Sequence, residues 1–301
     1  MKIAYLILAH NTPHHMKRLI KSLSSDSSSF FIHLDKKVHN KEFLGIEGNN
    51  VCFTQERVPV FWGDFSQVEA ILVLLRTAFY DQRKFDRFVL LSGADFPLRS
   101  AANIEKFFLT NKNKEYINLV EMPSVAVGKP ISRLTTYKLR PGDGKIINTA
   151  KKVLIKIGIL PCKRDYRKFL LDLTPYGGST WWALTREAVD YILRFIHEKP
   201  QVVHFFKNTV CPDEAFFQTI LGNSDHKLRI VGNLTYTDWS AGGQSPANIS
   251  EKHLVFFKST SHFGEREMLF ARKFTDDSEN LVSMLEDQVR ETEDRLTDRS
   301  T

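Results

Sequence analysis

The sequence predicts an α/β protein built on a Rossmann-like, mostly parallel sheet with helices on both faces. Three observations predict it. Short, nearly continuous apolar runs such as IAYLILA (3–9), FFIHL (30–34) and RFVLLS (87–92) read as strands buried on both sides. Amphipathic stretches of helical period lie between them. The alternation of the two is the pattern of a parallel sheet with crossover helices. With 301 residues, 42% of them hydrophobic and 12% aromatic, the chain can bury a large core.

Residues 3–9 form the first strand. The run is too short to span a bilayer and lacks the small-residue site that follows a signal-peptide core. Pro13 to Leu23 is an amphipathic helix, closed by the Ser-rich break SSDSSS before the second strand. In FWGDFSQVEAILVLLRTAF a helix starts at Ser66, with Glu69 completing a capping box. RFVLLSGADFP is another buried strand, ending in Gly-Ala-Asp. Residues 122–174 are rich in Lys, Arg, Gly and Pro and read as a basic insertion or flap within a single catalytic domain covering 1–276. A charged helix or tail, 277–301, completes the chain and is expected to stand in solvent.

The net charge is +7, and between Lys129 and Lys168 twelve Lys and Arg face only Asp143 and Asp165. That stretch favours an anionic partner. Nucleic acid is not expected, because the charges lack interleaved stacking aromatics. Cys52, Cys162 and Cys211 are too scattered for a disulfide framework or a CxxC zinc site, and a reducing, cytoplasmic setting is the simpler expectation. Within the insertion, Ile147, Val153, Leu154, Ile157 and Leu160 share a helical side flanked by Lys151, Lys152 and Lys156. Two readings stand for it: a helix packed on the core with its lysines in solvent, or an interfacial helix making peripheral membrane contact.

In open parallel sheets ligands bind beyond the carboxyl ends of the strands, where His10, Asp35 and Asp95 fall. The first turn, AHNTPHH, has no glycine and does not suit a pyrophosphate packed on the first helix, so a mononucleotide fits better. Asp35 is a candidate for ribose or base hydrogen bonds, or else a turn cap. There is no DxD pair, and HLD is a weak hard-cation set, so no metal and no cofactor is expected. A nucleoside diphosphate leaving without a metal needs cationic side chains, for which Arg272 and Lys273 in LFARKFTDD are candidates. Trp181, Trp182 and Trp239 are candidate site aromatics, although of two adjacent residues on a strand only one can line a site. Trp62 reads equally as core or site.

In CPDEAFFQTIL, Pro212 suits the first position of a helix and places Glu214 in its first turn, where the helix dipole favours an ionised carboxylate. Asp213 and Glu214 read either as helix-capping acids or as site carboxylates. AYLILAHN, FFIHLDKK, VFWGDFSQVEAILVLLRTAF, FDRFVLLSGADFPLRS, GGSTWWALTREAVDYIL, CPDEAFFQTIL, TDWSAGGQSP and FARKF together resemble, in order from Ile3 to Asp276, the core 2/I-branching β-1,6-N-acetylglucosaminyltransferases and peptide xylosyltransferases. The resemblance implies a GT-A type fold and an inverting, metal-independent glycosyltransferase that uses a UDP-sugar. It places the base on Glu214 and the diphosphate on Lys273 and Arg272. Donor and acceptor contacts are expected from Asp95, Trp181, Trp182 and Trp239, with Asp213 in support. N-acetylglucosamine is the expected sugar and UDP-xylose the alternative, with a glycan or lipid-linked oligosaccharide as acceptor. A non-catalytic glycan or nucleotide-sugar binding protein is the reading from another class. Animal members are membrane-anchored and disulfide-rich, whereas this chain is expected to lack an anchor and has three scattered cysteines, and it resembles the shorter bacterial members.

Overall fold

The computed structural model describes residues 1–240, 242–243 and 245–298, with side chains of the terminal helix through Glu291. Its central sheet is β3-β2-β1-β4-β6, formed by β1 (Ile3–Ala9), β2 (Ser28–Leu34), β3 (Val51–Phe53), β4 (Arg87–Ser92) and β6 (Ala183–Thr185). β1 pairs in parallel with β2 and β4, and β2 with β3, while β6 runs antiparallel to β4. The expected fold class, α/β with a mostly parallel sheet and helices on both faces, is the one observed.

The two-residue period of β1 divides the core in two. Ile3, Tyr5, Ile7 and Ala9 point to one face, where Met16, Leu19 and Leu23 of the helix Pro13–Leu23 and Ile104 and Phe108 of the helix Ala101–Thr110 cover them. Ala4 and Leu6 point to the other, beneath Val68, Ile71 and Leu75 of the helix Ser66–Phe79 and Ile192 of the helix Arg186–Glu198. Each Ile, Leu, Val, Met or Phe among them, fully buried, contributes about 1.5–3 kcal/mol, which is why the strands read as unbroken apolar runs.

A small second sheet lies beyond the carboxyl end of β4: β5 (Asp95–Pro97), β8 (Phe270–Arg272) and β7 (Thr235–Thr237), in the order β5-β8-β7. The turn into it is tied by the buried Asp95 carboxylate, which accepts from the Ser92 amide at 3.0 Å and the Ser92 hydroxyl at 2.7 Å. Register places Arg272 between Asp95 and Thr237.

Two local expectations change, for the helix Ser66–Phe79 and for the terminal helix. The helix Ser66–Phe79 has no capping box: Asp64 accepts from the Ser66 amide at 2.9 Å, and Glu69 instead pairs with Arg140 at 2.8 Å. The basic insertion is tied to the rest of the domain, since Arg164 donates to the Phe205 carbonyl at 2.8 Å and Lys138 to that of Gly63. The terminal helix, described over Glu279–Asp298, is not wholly solvated, because Val282 and Leu285 enter the core. Among the described residues no helix is long and apolar enough to cross a membrane.

Candidate active site

A cleft of about 470 Å³ opens beyond the carboxyl ends of β1, β2 and β4, between the two sheets. His10, Asp35, Trp181, Asp213, Glu214, Trp239, Arg272 and Lys273 all line it. Trp62 stands exposed at its rim. Stretches more than two hundred residues apart in the chain thus share one wall.

At one end sits Glu214. Cys211 adopts a left-handed conformation (φ 48°), Pro212–Glu214 form a single 3₁₀ turn, and the α-helix begins only at Phe216. The expected place of Glu214 in the first turn of an α-helix is therefore corrected. The reason lies in the partner of its carbonyl: Gly178 N–H donates to Glu214 O at 2.8 Å, taking the acceptor that a helical turn would use. Gly178 must be glycine there, since a Cβ would lie 2.1 Å from the Asn118 carbonyl oxygen. Lys129 and Arg133 both bond Oε2 of Glu214. Burial works against ionisation, but the charges and hydrogen bonds of these two cations outweigh it and hold the carboxyl below its ordinary range. Neighbouring cations, not a helix dipole, keep Glu214 charged. Among the described residues no hydrogen bond reaches Oε1, which leaves that oxygen available to a hydroxyl.

Asp213 behaves differently. Burial first, then the adjacent Glu214 charge, pushes its carboxyl up to about 6. Its Oδ2 accepts from the Thr180 hydroxyl at 2.7 Å, and the buried Oδ1 has no hydrogen-bond partner among the described residues. It ties the Pro212–Glu214 turn to the segment that carries Trp181.

At the other end Arg272 stacks on Trp181, its guanidinium carbon 3.9 Å from the ring centroid, and its Nε lies 3.5 Å from Asp95 Oδ1. Lys273 follows it on the cleft wall. Burial, and next the Lys273 charge, lower the pKa of His10, so its ring is neutral near pH 7. Asp35 Oδ1 accepts from the Lys37 amide at 2.9 Å, the bond of a turn, and from the distant Val60 amide at 3.3 Å, while its side chain still borders the cleft. His33, unremarked in the sequence, borders the cleft as well; burial holds its pKa at about 4 and its Nε2 accepts from the Val58 amide.

Two expected site residues lie elsewhere. Asp95 is fully buried behind Arg272 and Ser92 and does not border the cleft, so it can only position Arg272. Trp182 points to the opposite side of the chain from Trp181 and packs on Phe217 at 5.7 Å in the core. Conversely, Lys129 and Arg133 were hidden within a long basic run, where nothing in the spacing separates the two cations that hold Glu214 from their neighbours. Trp239 is held by its predecessor, since Asp238 accepts from the Ser240 amide at 2.8 Å and meets His253 at 2.9 Å. Among the described residues no three His, Cys, Asp or Glu side chains converge as a metal site requires.

A parallel α/β sheet with an ionised carboxylate and a cationic pair in one aromatic-walled cleft beyond its carboxyl ends defines the class of fold and site. The family model described as Core-2/I-Branching enzyme matches residues 3–259, so the chain belongs to that family. Human xylosyltransferase 2 is 26% identical over 298 residues, covering 91% of this chain and 32% of that protein. Human xylosyltransferase 1 is 23% identical over 296 residues, covering 91% and 29%. The chain therefore spans about a third of the length of these curated relatives. Among solved structures, mouse xyloside xylosyltransferase 1 in its apo form aligns with 89% of this chain and 97% of its own, at a TM-score of 0.36 and 11% identity. 4-Diphosphocytidyl-2C-methyl-D-erythritol synthase from Anaerococcus prevotii aligns with 86% and 95%, at a TM-score of 0.35 and 10% identity.

Proposed function

We propose that this protein is an inverting, metal-independent glycosyltransferase that moves a sugar from a UDP-sugar to a glycan hydroxyl, with Glu214 as general base. The donor we favour is UDP-N-acetylglucosamine; UDP-xylose is the alternative suggested by the named relatives. The observation that carries the reading is the sharing of one cleft by the ionised Glu214 and the pair Arg272 and Lys273. In the proposed step the acceptor oxygen attacks the anomeric carbon from the side opposite the diphosphate. Its proton passes to Oε1 of Glu214 as the new C–O bond forms. The bond to the β-phosphate oxygen breaks, and the UDP oxygen leaves as an anion that Arg272 and Lys273 neutralise. No second carboxylic acid is needed, because the diphosphate departs without a proton. Lys129 and Arg133 hold Oε2 and lower the basicity of Glu214, while Oε1 stays open to the acceptor hydroxyl.

Glu214→Gln is expected to keep the fold and UDP binding while losing roughly 10²-fold or more in turnover, measured by UDP release with a panel of UDP-sugars. Near-full turnover in this variant, with Asp213→Asn inactive, would move the base to Asp213, whose carboxyl lies nearer neutral pH. UDP-sugar binding without turnover in the unaltered protein would instead favour a binding module.

Metal independence has its own test. Turnover is expected to persist in EDTA, and Lys273→Ala to weaken UDP binding and slow turnover together, because charge builds on the leaving oxygen in the transition state. Activity lost to EDTA and restored by Mn²⁺ would overturn it.

A further inference from the structure

The helix Lys145–Lys156 stands out because none of its residues is buried. Spacing divides its surface into three stripes. Asn148, Lys151 and Ile155 form the side toward the protein: Asn148 donates to the Arg140 carbonyl at 2.8 Å, Lys151 pairs with Asp143 at 2.5 Å, and Ile155 is half-buried. Ile146, Val153 and Ile157, with Ile147 beside them, form the opposite side and are 52% to 88% exposed. Lys145, Lys152 and Lys156 run as a parallel exposed row, and no Asp or Glu lies anywhere in the helix. Of the sequence's apolar side, Leu154 and Leu160 are half-buried, but Val153 and Ile157, with Ile146, face away from the body and no residue of the helix is buried, which disfavours packing on the core.

We propose that this face docks the protein on an anionic lipid surface, with the isoleucines and Val153 at the headgroup and acyl boundary and the lysine row against the headgroup charges. Charge complementarity selects that occupant. The core of a protein interface is depleted in lysine, whereas here the lysines border the apolar stripe along its whole length. A second copy meeting the same face antiparallel, across a two-fold axis perpendicular to the helix, would bring lysine row against lysine row. Placement agrees with the role. The helix springs from the segment anchored by Arg140 to Glu69 and Asp64 and by Lys138 to Gly63, next to Trp62 at the rim of the cleft. Docking would therefore hold the mouth of the cleft near the lipid, and acceptors carried there would meet it in two dimensions.

The test is sedimentation of the full chain with vesicles of phosphatidylcholine alone and of phosphatidylcholine mixed with phosphatidylglycerol. Binding to the mixed vesicles only, falling as salt rises, is expected. Lys152→Glu with Lys156→Glu, and separately Ile146→Asp with Val153→Asp, should each lower partitioning at least about tenfold. These positions are exposed and remote from the proposed chemistry, so melting temperature and UDP binding should stay unchanged. Equal negligible binding to both vesicle types, or binding that neither variant reduces, would overturn the proposal. So would a concentration-dependent dimer that Val153→Asp dissolves, which would give the face to a second copy. Failure of the vesicle test leaves the proposed transfer reaction untouched, because that is read in solution with soluble acceptors.

Discussion

At the scale of single residues, the neighbours Asp213 and Glu214 show how environment assigns different work to like side chains. Glu214 meets Lys129 and Arg133 and is held ionised; Asp213 meets Thr180 and burial and is pushed toward neutrality. The stability consequences have opposite signs. The carboxyl of Asp213 binds a proton more readily in the folded chain, at about 6 against an ordinary 3.8, so its contribution falls as pH rises through that interval. The depressed pKa of Glu214 contributes stability present above its ordinary 4.5 and lost as pH falls below it. Between about pH 4.5 and 6, therefore, only Asp213 acts. Asp213→Asn keeps the shape and the Thr180 bond, and should stabilise the protein at pH 7 by on the order of 2–3 kcal/mol. The difference in melting temperature between variant and parent should widen from pH 4.5 to 6 and then level off. A difference that is the same at both ends would show that Asp213 ionises normally.

At the scale of elements, apolar periodicity located helices well and described their surroundings less well. The helix Pro13–Leu23 begins and ends where its amphipathic pattern does, because its stripe of Met16, Leu19, Ile20 and Leu23 has a sheet to cover. The terminal helix reads as charged and solvated, yet two apolar residues four positions apart or fewer, Val282 and Leu285, suffice to dock it, helped by Arg18 pairing with Glu286 at 2.7 Å. Deleting the chain from Glu279 onward removes both buried side chains and uncovers their partners, an expected loss of about 3–6 kcal/mol. A chemical denaturation curve measures it. A midpoint unchanged by the deletion would mean that the helix only rests on the surface. The helix Lys145–Lys156 is the reverse case, with Ile146 and Val153 exposed and no residue of the helix buried among the described residues.

For the whole molecule, the sheet and the cleft follow from one another: parallel strands direct their carboxyl ends to one edge, and the small sheet of β5, β7 and β8 closes that edge into a cavity. By itself the sequence determined the strands, the alternation with helices, the family and most of the cleft wall, because these rest on local signals: apolar runs, the Pro-Asp-Glu and Ala-Arg-Lys segments, and loops at strand ends. What only the tertiary structure decided was which neighbours each side chain meets. It sent Trp181 to the cleft and Trp182 to the core, put Asp95 behind Arg272, gave the Glu214 carbonyl to Gly178 in place of a helical turn, and chose Lys129 and Arg133 from a run of cations to hold the carboxylate. Those contacts join residues 30 to 180 positions apart, and their energies depend on distance and burial in space, which no local pattern of residues records.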